Sequence, residues 1–176
     1  MDDDRLLIRE MTLADCDRVA EIRVRGWQNA YRGLMPQPFL DAMSVTEDAE
    51  HRRSRFSTAH PEIRNLVAEW DGEVVGWACD GPYRDGEART AEAELYALYV
   101  DARRQGAGIG HALLLESLGY RTALDHGRMC LWVLKGNAHA RRFYERHGFE
   151  ADGVEEPFEV DGVAVPEVRY VRELPH

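Results

Sequence analysis

The residues best suited to chemistry in this sequence are Gln105-Gly106-Ala107-Gly108-Ile109-Gly110, set between an apolar run and a helix-like run. Glycines let a backbone approach a ligand closely, and the free N–H groups of a helix's first turn attract an anion. A phosphate is the natural occupant. A dinucleotide turn of the Gly-x-Gly-x-x-Gly type would need its third glycine where His111 stands. The next strand also ends at Leu134-Lys135 rather than at an acid for a ribose hydroxyl. A nucleotide P-loop would need Gly-Lys-Ser/Thr, which is missing. Diphosphate binding remains, with plain turn geometry as its alternative.

Other reactive types point to less. Cys16, Cys79 and Cys130 lie far apart with no Cys-x-x-Cys spacing, which suggests neither a disulfide framework nor a zinc site. Cys79 and Cys130 sit in apolar runs and read as small buried hydrophobes. Neither Cys130 nor Ser117 has a recognisable His/Asp arrangement to make it a nucleophile. The seven histidines show no metal spacing, and His139 and His147 read as surface or partly packed residues.

The elements that must position the glycine turn follow from hydrophobic period. Residues 6–10 read as a strand, and Thr12 is a cap for a helix over 13–31. Pro36 and Pro38 interrupt before a short helical piece at 39–43, and Ser44 or Thr46 opens a charged helix to residue 56. Residues 66–70 and 74–78 flank Asp71-Gly72 as a hairpin. A polar loop with Gly81-Pro82 and Asp85-Gly86 is expected next, then an apolar central strand over 93–100. After the glycine turn, a long helix ends near Gly127 and a buried strand covers 129–134. Asn137 caps a helix on which Ala140, Phe143, Tyr144 and His147 share a face, and Gly148 is the left-handed stop. A second hairpin turns at Asp161-Gly162. The order predicts a mixed α/β (α+β) domain over residues 1–176, with a right-handed crossover in its middle.

Composition narrows the partners. With 176 residues, 44% hydrophobic and 31% charged, the chain is ordinary for one folded domain that needs no disulfide or metal staple. The formal net charge of −10 disfavours a nucleic-acid coat protein. A cationic or small neutral partner fits it better. No apolar stretch approaches a membrane span, and Met1-Asp2-Asp3-Asp4 is the reverse of a basic signal start, so a cytoplasmic protein is expected, with a flexible stretch at 1–4.

Two segments together resemble the GNAT superfamily of acyl-CoA-dependent N-acyltransferases. Its signature Gln/Arg-x-x-Gly-x-Gly/Ala is matched by residues 105–110 after the strand Glu94-Leu95-Tyr96-Ala97-Leu98-Tyr99-Val100. Its element Asn-x-x-Ala-x-x-Phe-Tyr-Glu-x-x-Gly-Phe is matched by Asn137, Ala140, Phe143, Tyr144, Glu145, Gly148 and Phe149. The likeness is tight over residues 92–152. It implies a GNAT fold: a central, mostly antiparallel mixed sheet, splayed at its centre and flanked by helices.

The resemblance also assigns roles. Acetyl-CoA would be the acyl donor, its pyrophosphate held by the amides of Gln105 to Gly110 with charge from Arg103 and Arg104. The edge formed by Leu98, Tyr99 and Val100 would bond the pantetheine arm, and a backbone N–H near Leu95 to Leu98 would stabilise the oxyanion. Asn137 would face the cofactor, though a helix cap alone explains it equally. An aliphatic amine is only about one part in a thousand neutral at pH 7, so a base is needed. Glu94 is the candidate, acting through water, with Glu92 as fallback and an unremarkable carboxylate near a strand's solvent end as the alternative. Tyr144 matches the family tyrosine that protonates the leaving thiolate. Trp27 and Tyr31, four apart on one helix face, and Phe158 would line the acceptor mouth or simply pack on the sheet. Glu155, Glu156 and Glu159 would approach it as a solvated acidic face. The resemblance implies a primary amine of a small molecule or peptide N-terminus as acceptor and a homodimer. A non-catalytic acyl-CoA-binding module on the same fold is the other reading.

Overall fold

The computed structural model describes residues 5–85 and 88–175, without the side chains of 88 and 89. Residues 1–4, expected to be flexible, and Gly86 of the expected Asp85-Gly86 turn lie outside the described residues. In chain order the elements are β1 Leu6–Glu10, α1 Cys16–Ala30, α2 Gln37–Ala42, α3 Val45–Arg55, β2 Arg64–Trp70 and β3 Glu73–Asp85. They continue as β4 Ala88–Val100, α4 Ile109–Ala123, β5 Arg128–Leu134, α5 Ala138–Arg146, β6 Glu150–Val160 and β7 Val163–Glu173.

The strands form one seven-stranded sheet in the order β1-β2-β3-β4-β5-β7-β6. Every neighbouring pair is antiparallel except β4 with β5, which the α4 crossover makes parallel. Both faces are covered. Val19 and Ile22 of α1 pack on Val67, Val74, Trp77 and Cys79. On the opposite face Ile109 and Leu113 of α4 pack on Leu66, Ala68, Val75 and Ala78. A third cluster joins Leu114 and Leu118 of α4 to Leu95, Met129, Leu131 and Tyr170. All three cysteines are buried and free, Cys79 and Cys130 within the apolar runs that predict their burial.

Local signals set several boundaries as read. The Ser44 hydroxyl accepts from the Glu47 N–H at 3.2 Å and opens α3, and Asn137 does the same for α5 through Ala140 N–H at 3.2 Å. Gly148 takes φ 81° and ends α5. Two expectations are corrected. Gly81-Pro82 is not loop: both residues are buried inside β3, paired with Glu94 and Ala93. Glycine is needed there because a Cβ would stand 2.7 Å from the Tyr96 ring. Helix α4 ends at Ala123 rather than near Gly127, because Asp125 takes the left-handed turn at φ 61°.

A tertiary pair braces this part of the sheet. The Arg121 guanidinium of α4, 2% exposed, donates to the fully buried Asp80 carboxylate of β3 at 2.6 Å and to the Glu62 carbonyl at 2.8 Å. Asp80 lies opposite Leu95, where β4 carries a bulge: Cys79 pairs with Ala97 and Asp80 with Leu95, leaving Tyr96 extra. A bulge bends its strand. On the other edge of β4 the ladder to β5 stops at the same place, after Leu95 and Leu131.

Candidate active site

Beyond Leu95 the two central strands separate, and the gap is a cavity of about 910 Å³. Asp101 N–H donates to Val75 C=O at 2.8 Å across the β3 side. Strand alternation therefore turns the amides of Leu98 and Val100 toward the gap, where no strand faces them. Leu98, Tyr99 and Val100 all line the cavity. They offer an extended ligand a free backbone edge.

At one end of the gap lies the glycine turn. Gly106 and Gly108 take φ 80° and 81°, conformations that suit glycine, and nothing stands within 4 Å of where their Cβ atoms would be. Gly108 is the N-cap of the 15-residue α4, whose first amides are thereby left free. Gln105, Gly106, Gly108, Ile109 and Gly110 line the cavity; Ala107 is exposed and does not. Such an open, amide-rich cradle fits a pyrophosphate. Arg103 and Arg104 line it too, but Asp101 accepts from Arg103 Nη2 at 2.8 Å, so part of that positive charge is already neutralised. Asp101 is held well below the usual carboxylate range, first by the Arg103 side chain.

Both proton-carrying candidates line the gap. Glu94 does not lie at a solvent end: it is 3% exposed and lines the cavity. Its carboxylate accepts from the Arg84 backbone N–H and from Arg84 Nη2, each at 3.1 Å. Glu92 is outside the cavity lining and pairs with Arg128 at 2.9 Å. Tyr144 lines the wall from α5, and burial, then the neighbouring Tyr99, holds its phenol above the ordinary value. It keeps its proton at neutral pH. Asn137 lines the cavity while its amide oxygen caps α5.

Part of the cavity lining is aromatic. Trp27, Tyr31 and Phe158 all belong to it. The Trp27 ring lies 5.0 Å from Tyr31 and 6.2 Å from Phe158, both edge-on. Tyr31 and Tyr99 hydroxyls meet at 3.2 Å.

A free backbone edge, an amide cradle at a helix start, and a carboxylate and phenol between them are now joined by a family comparison. Residues 23–149 match the Acetyltransferase (GNAT) family. The chain belongs to that family. "Uncharacterized N-acetyltransferase YuaI" from Bacillus subtilis (strain 168) is 32% identical over 165 residues, covering 92% of this chain and 89% of that protein. The crystal structure of a ribosomal-protein-alanine N-acetyltransferase from Brucella melitensis superposes with TM-score 0.74 at 25% identity, covering 96% of this chain and 99% of that one. The crystal structure of PaiA N-acetyltransferase from Thermoplasma acidophilum in complex with coenzyme A superposes with TM-score 0.72 at 20% identity, covering 96% of this chain and 98% of that one. The chain is thus a GNAT acyltransferase with the splayed sheet of that fold.

The GNAT slot also contains residues that sequence reasoning missed. Glu167 of β7 lines it, cross-strand from Glu156. Burial first, then Glu156 and Glu94, pushes the Glu167 carboxyl above its ordinary value. A period-two reading of β7 could have pointed inward at Glu167. By contrast Glu155, Glu156 and Glu159 are exposed and outside the lining, and Glu155 pairs with Lys135 at 3.0 Å. His111 was passed over as a failed glycine; its Nδ1 lies 2.7 Å from His147 Nε2, and both rings, with His139, line the slot. Among the described residues no group of three or more His, Cys, Asp or Glu could hold a metal ion, and no helix is long and apolar enough to cross a membrane.

Proposed function

We propose that this GNAT chain transfers an acetyl group from acetyl-CoA directly to a primary amine of a small molecule or peptide N-terminus. The observation that carries this reading is the placement of Glu94 and Tyr144 on the walls of one slot, downstream of an amide cradle. When bound, acetyl-CoA supplies an activated acetyl thioester. The amides of the 105–110 turn hold its pyrophosphate, and the free edge of Leu98 and Val100 aligns the arm between cradle and slot.

Within the slot this chain's residues move protons. Glu94, hydrogen-bonded to Arg84, takes a proton from the acceptor nitrogen through water. The Leu98 amide, pointing into the gap, donates to oxygen as charge gathers there. Tyr144 holds its proton until the departing sulfur needs it. A covalent acyl-enzyme is not required. Burial pushes the Cys130 thiol up to about 11, which leaves little thiolate at neutral pH, and its contact is Glu92, outside the slot lining. The residues from Trp27, Tyr31 and Phe158 inward shield the reacting end from bulk water.

The test is thiol release from acetyl-CoA with a panel of primary amines, products identified by mass. Amine-dependent release with N-acetylated product supports the reading. Tight acetyl-CoA binding with no release for any amine refutes it.

A further inference from the structure

A second cavity, of about 740 Å³, opens where α3 meets the ends of β2 and β3. Arg23, Arg52, Arg55, Arg64 and Arg84 line it, against only two acids, Glu10 and Asp48. Guanidinium groups stay charged in proteins, so the hollow keeps a positive surplus on a chain of formal net charge −10, although Arg64 is paired with Glu116 and Arg84 with Glu94. Asp48 is already divided between two of the five, 3.2 Å from Arg23 and 2.8 Å from Arg52. Arg64 donates to Glu116 from Nη2 at 3.0 Å, but its Nε and Nη1 are buried with no hydrogen-bond partner. The Arg64 guanidinium also lies 4.1 Å from the Tyr120 ring centre.

The hollow and the slot have one wall residue in common. Arg84 lines both cavities. Its guanidinium faces Glu94 at 3.1 Å and lies 4.2 Å from the Tyr96 ring centre. Arg23, in the hollow, lies 4.7 Å from the ring centre of Trp27, in the slot. At the junction a fixed positive group and a fixed negative group thus stand side by side, the complement of a zwitterion.

We propose that the acceptor is a primary amine that also carries a carboxylate, with the carboxylate drawn to Arg84 and the arginine hollow and the amine to Glu94. This rests on the amine-acceptor reading of the slot and adds the substrate class. It also gives the Arg84–Glu94 pair a function. With no acceptor, Arg84 occupies the Glu94 carboxylate. The acceptor's own carboxylate competes for that guanidinium, which frees Glu94 lone pairs as the amine arrives. An amine without a carboxylate meets a base still held by Arg84. No covalent step is added to the transfer.

The experiment uses the full chain with acetyl-CoA. Thiol release is compared for a series of L-amino acids, each against its carboxamide and its decarboxylated amine, in wild type and in Arg84→Gln and Arg23→Gln. The charge-assisted pairing predicts kcat/KM about ten- to a hundredfold higher for the best amino acids than for their uncharged counterparts. Arg84→Gln should raise KM for those amino acids and erase most of the preference, with acetyl-CoA binding unchanged. Amides and decarboxylated amines used as well as the amino acids overturn the proposal while leaving amine acetylation standing. A preference that survives both variants places the carboxylate elsewhere and overturns it too. Release with no amine of any kind refutes the acceptor reading and this proposal with it. The wild-type comparison decides the matter even if a variant does not fold.

Discussion

Gly108 and Gly110 lie two residues apart in the same turn, yet alanine should act on them with opposite sign. Gly108 has φ 81°, ψ 8°, and an added Cβ meets nothing within 4 Å. The penalty of Gly108→Ala is therefore purely that of a left-handed backbone, about 1–2 kcal/mol. Gly110 is inside α4, where an added Cβ would stand 3.4 Å from Phe143 Cζ and 3.7 Å from Val100 Cγ2, ordinary contact distances. There alanine gains up to about 1 kcal/mol of helix propensity. At roughly 2–4 °C per kcal/mol for a chain of this size, Gly108→Ala should lower Tm by about 2–8 °C, and Gly110→Ala should raise it by up to about 4 °C. Urea titration with unchanged m-values checks that the native state is being read. Gly108→Asn is the control, since asparagine tolerates the left-handed region and should recover part of the loss. A neutral Gly108→Ala, or equal losses at both positions, would refute the cradle geometry and with it the free amides at the start of α4.

Three further outcomes follow from the site and its supports. Tyr144→Phe should lower kcat about a hundredfold or more and change acetyl-CoA affinity little, since only a proton donor is removed; full activity would return Tyr144 to a packing role. Arg121→Met leaves Asp80 charged and buried without a partner and should cost about 3–5 kcal/mol in urea unfolding, whereas adding Asp80→Leu should recover most of it. Equal losses in the single and double variants would show that packing alone matters there. Glu167 binds its proton more tightly folded than unfolded, so its contribution is present at low pH and fades as pH rises from the ordinary 4.5 through the raised folded value. Glu167→Gln should remove that decline and be more stable than wild type at neutral pH, read as Cm against pH; the same slope in both proteins would contradict the burial argument.

What the sequence made legible was local. The glycine turn, the Asn137 cap and the Gly148 stop depend on residues within one or two turns of each other, so their chemistry is visible in order. Glu94 and Tyr144 came from the motif match rather than from spacing. The bulge at Tyr96 and the early end of the β4–β5 ladder leave no local mark, and they are what opens the slot. Gly81-Pro82 reads as a turn from its dipeptide, but sheet pairing and the Tyr96 ring override that preference. The arginine hollow gathers Arg23, Arg52, Arg55, Arg64 and Arg84 from two helices and two strands across about sixty residues. On the page they are dispersed charges in an acidic chain.

The most direct measurement is kcat/KM against pH for wild type and Glu94→Gln with the same amine. With Glu94 as proton acceptor, wild type stays active near neutral pH. The variant should be slow there and gain about tenfold per pH unit toward the amine's own value near 10, because only the neutral amine attacks unaided. Superimposable profiles would contradict the central role given to Glu94.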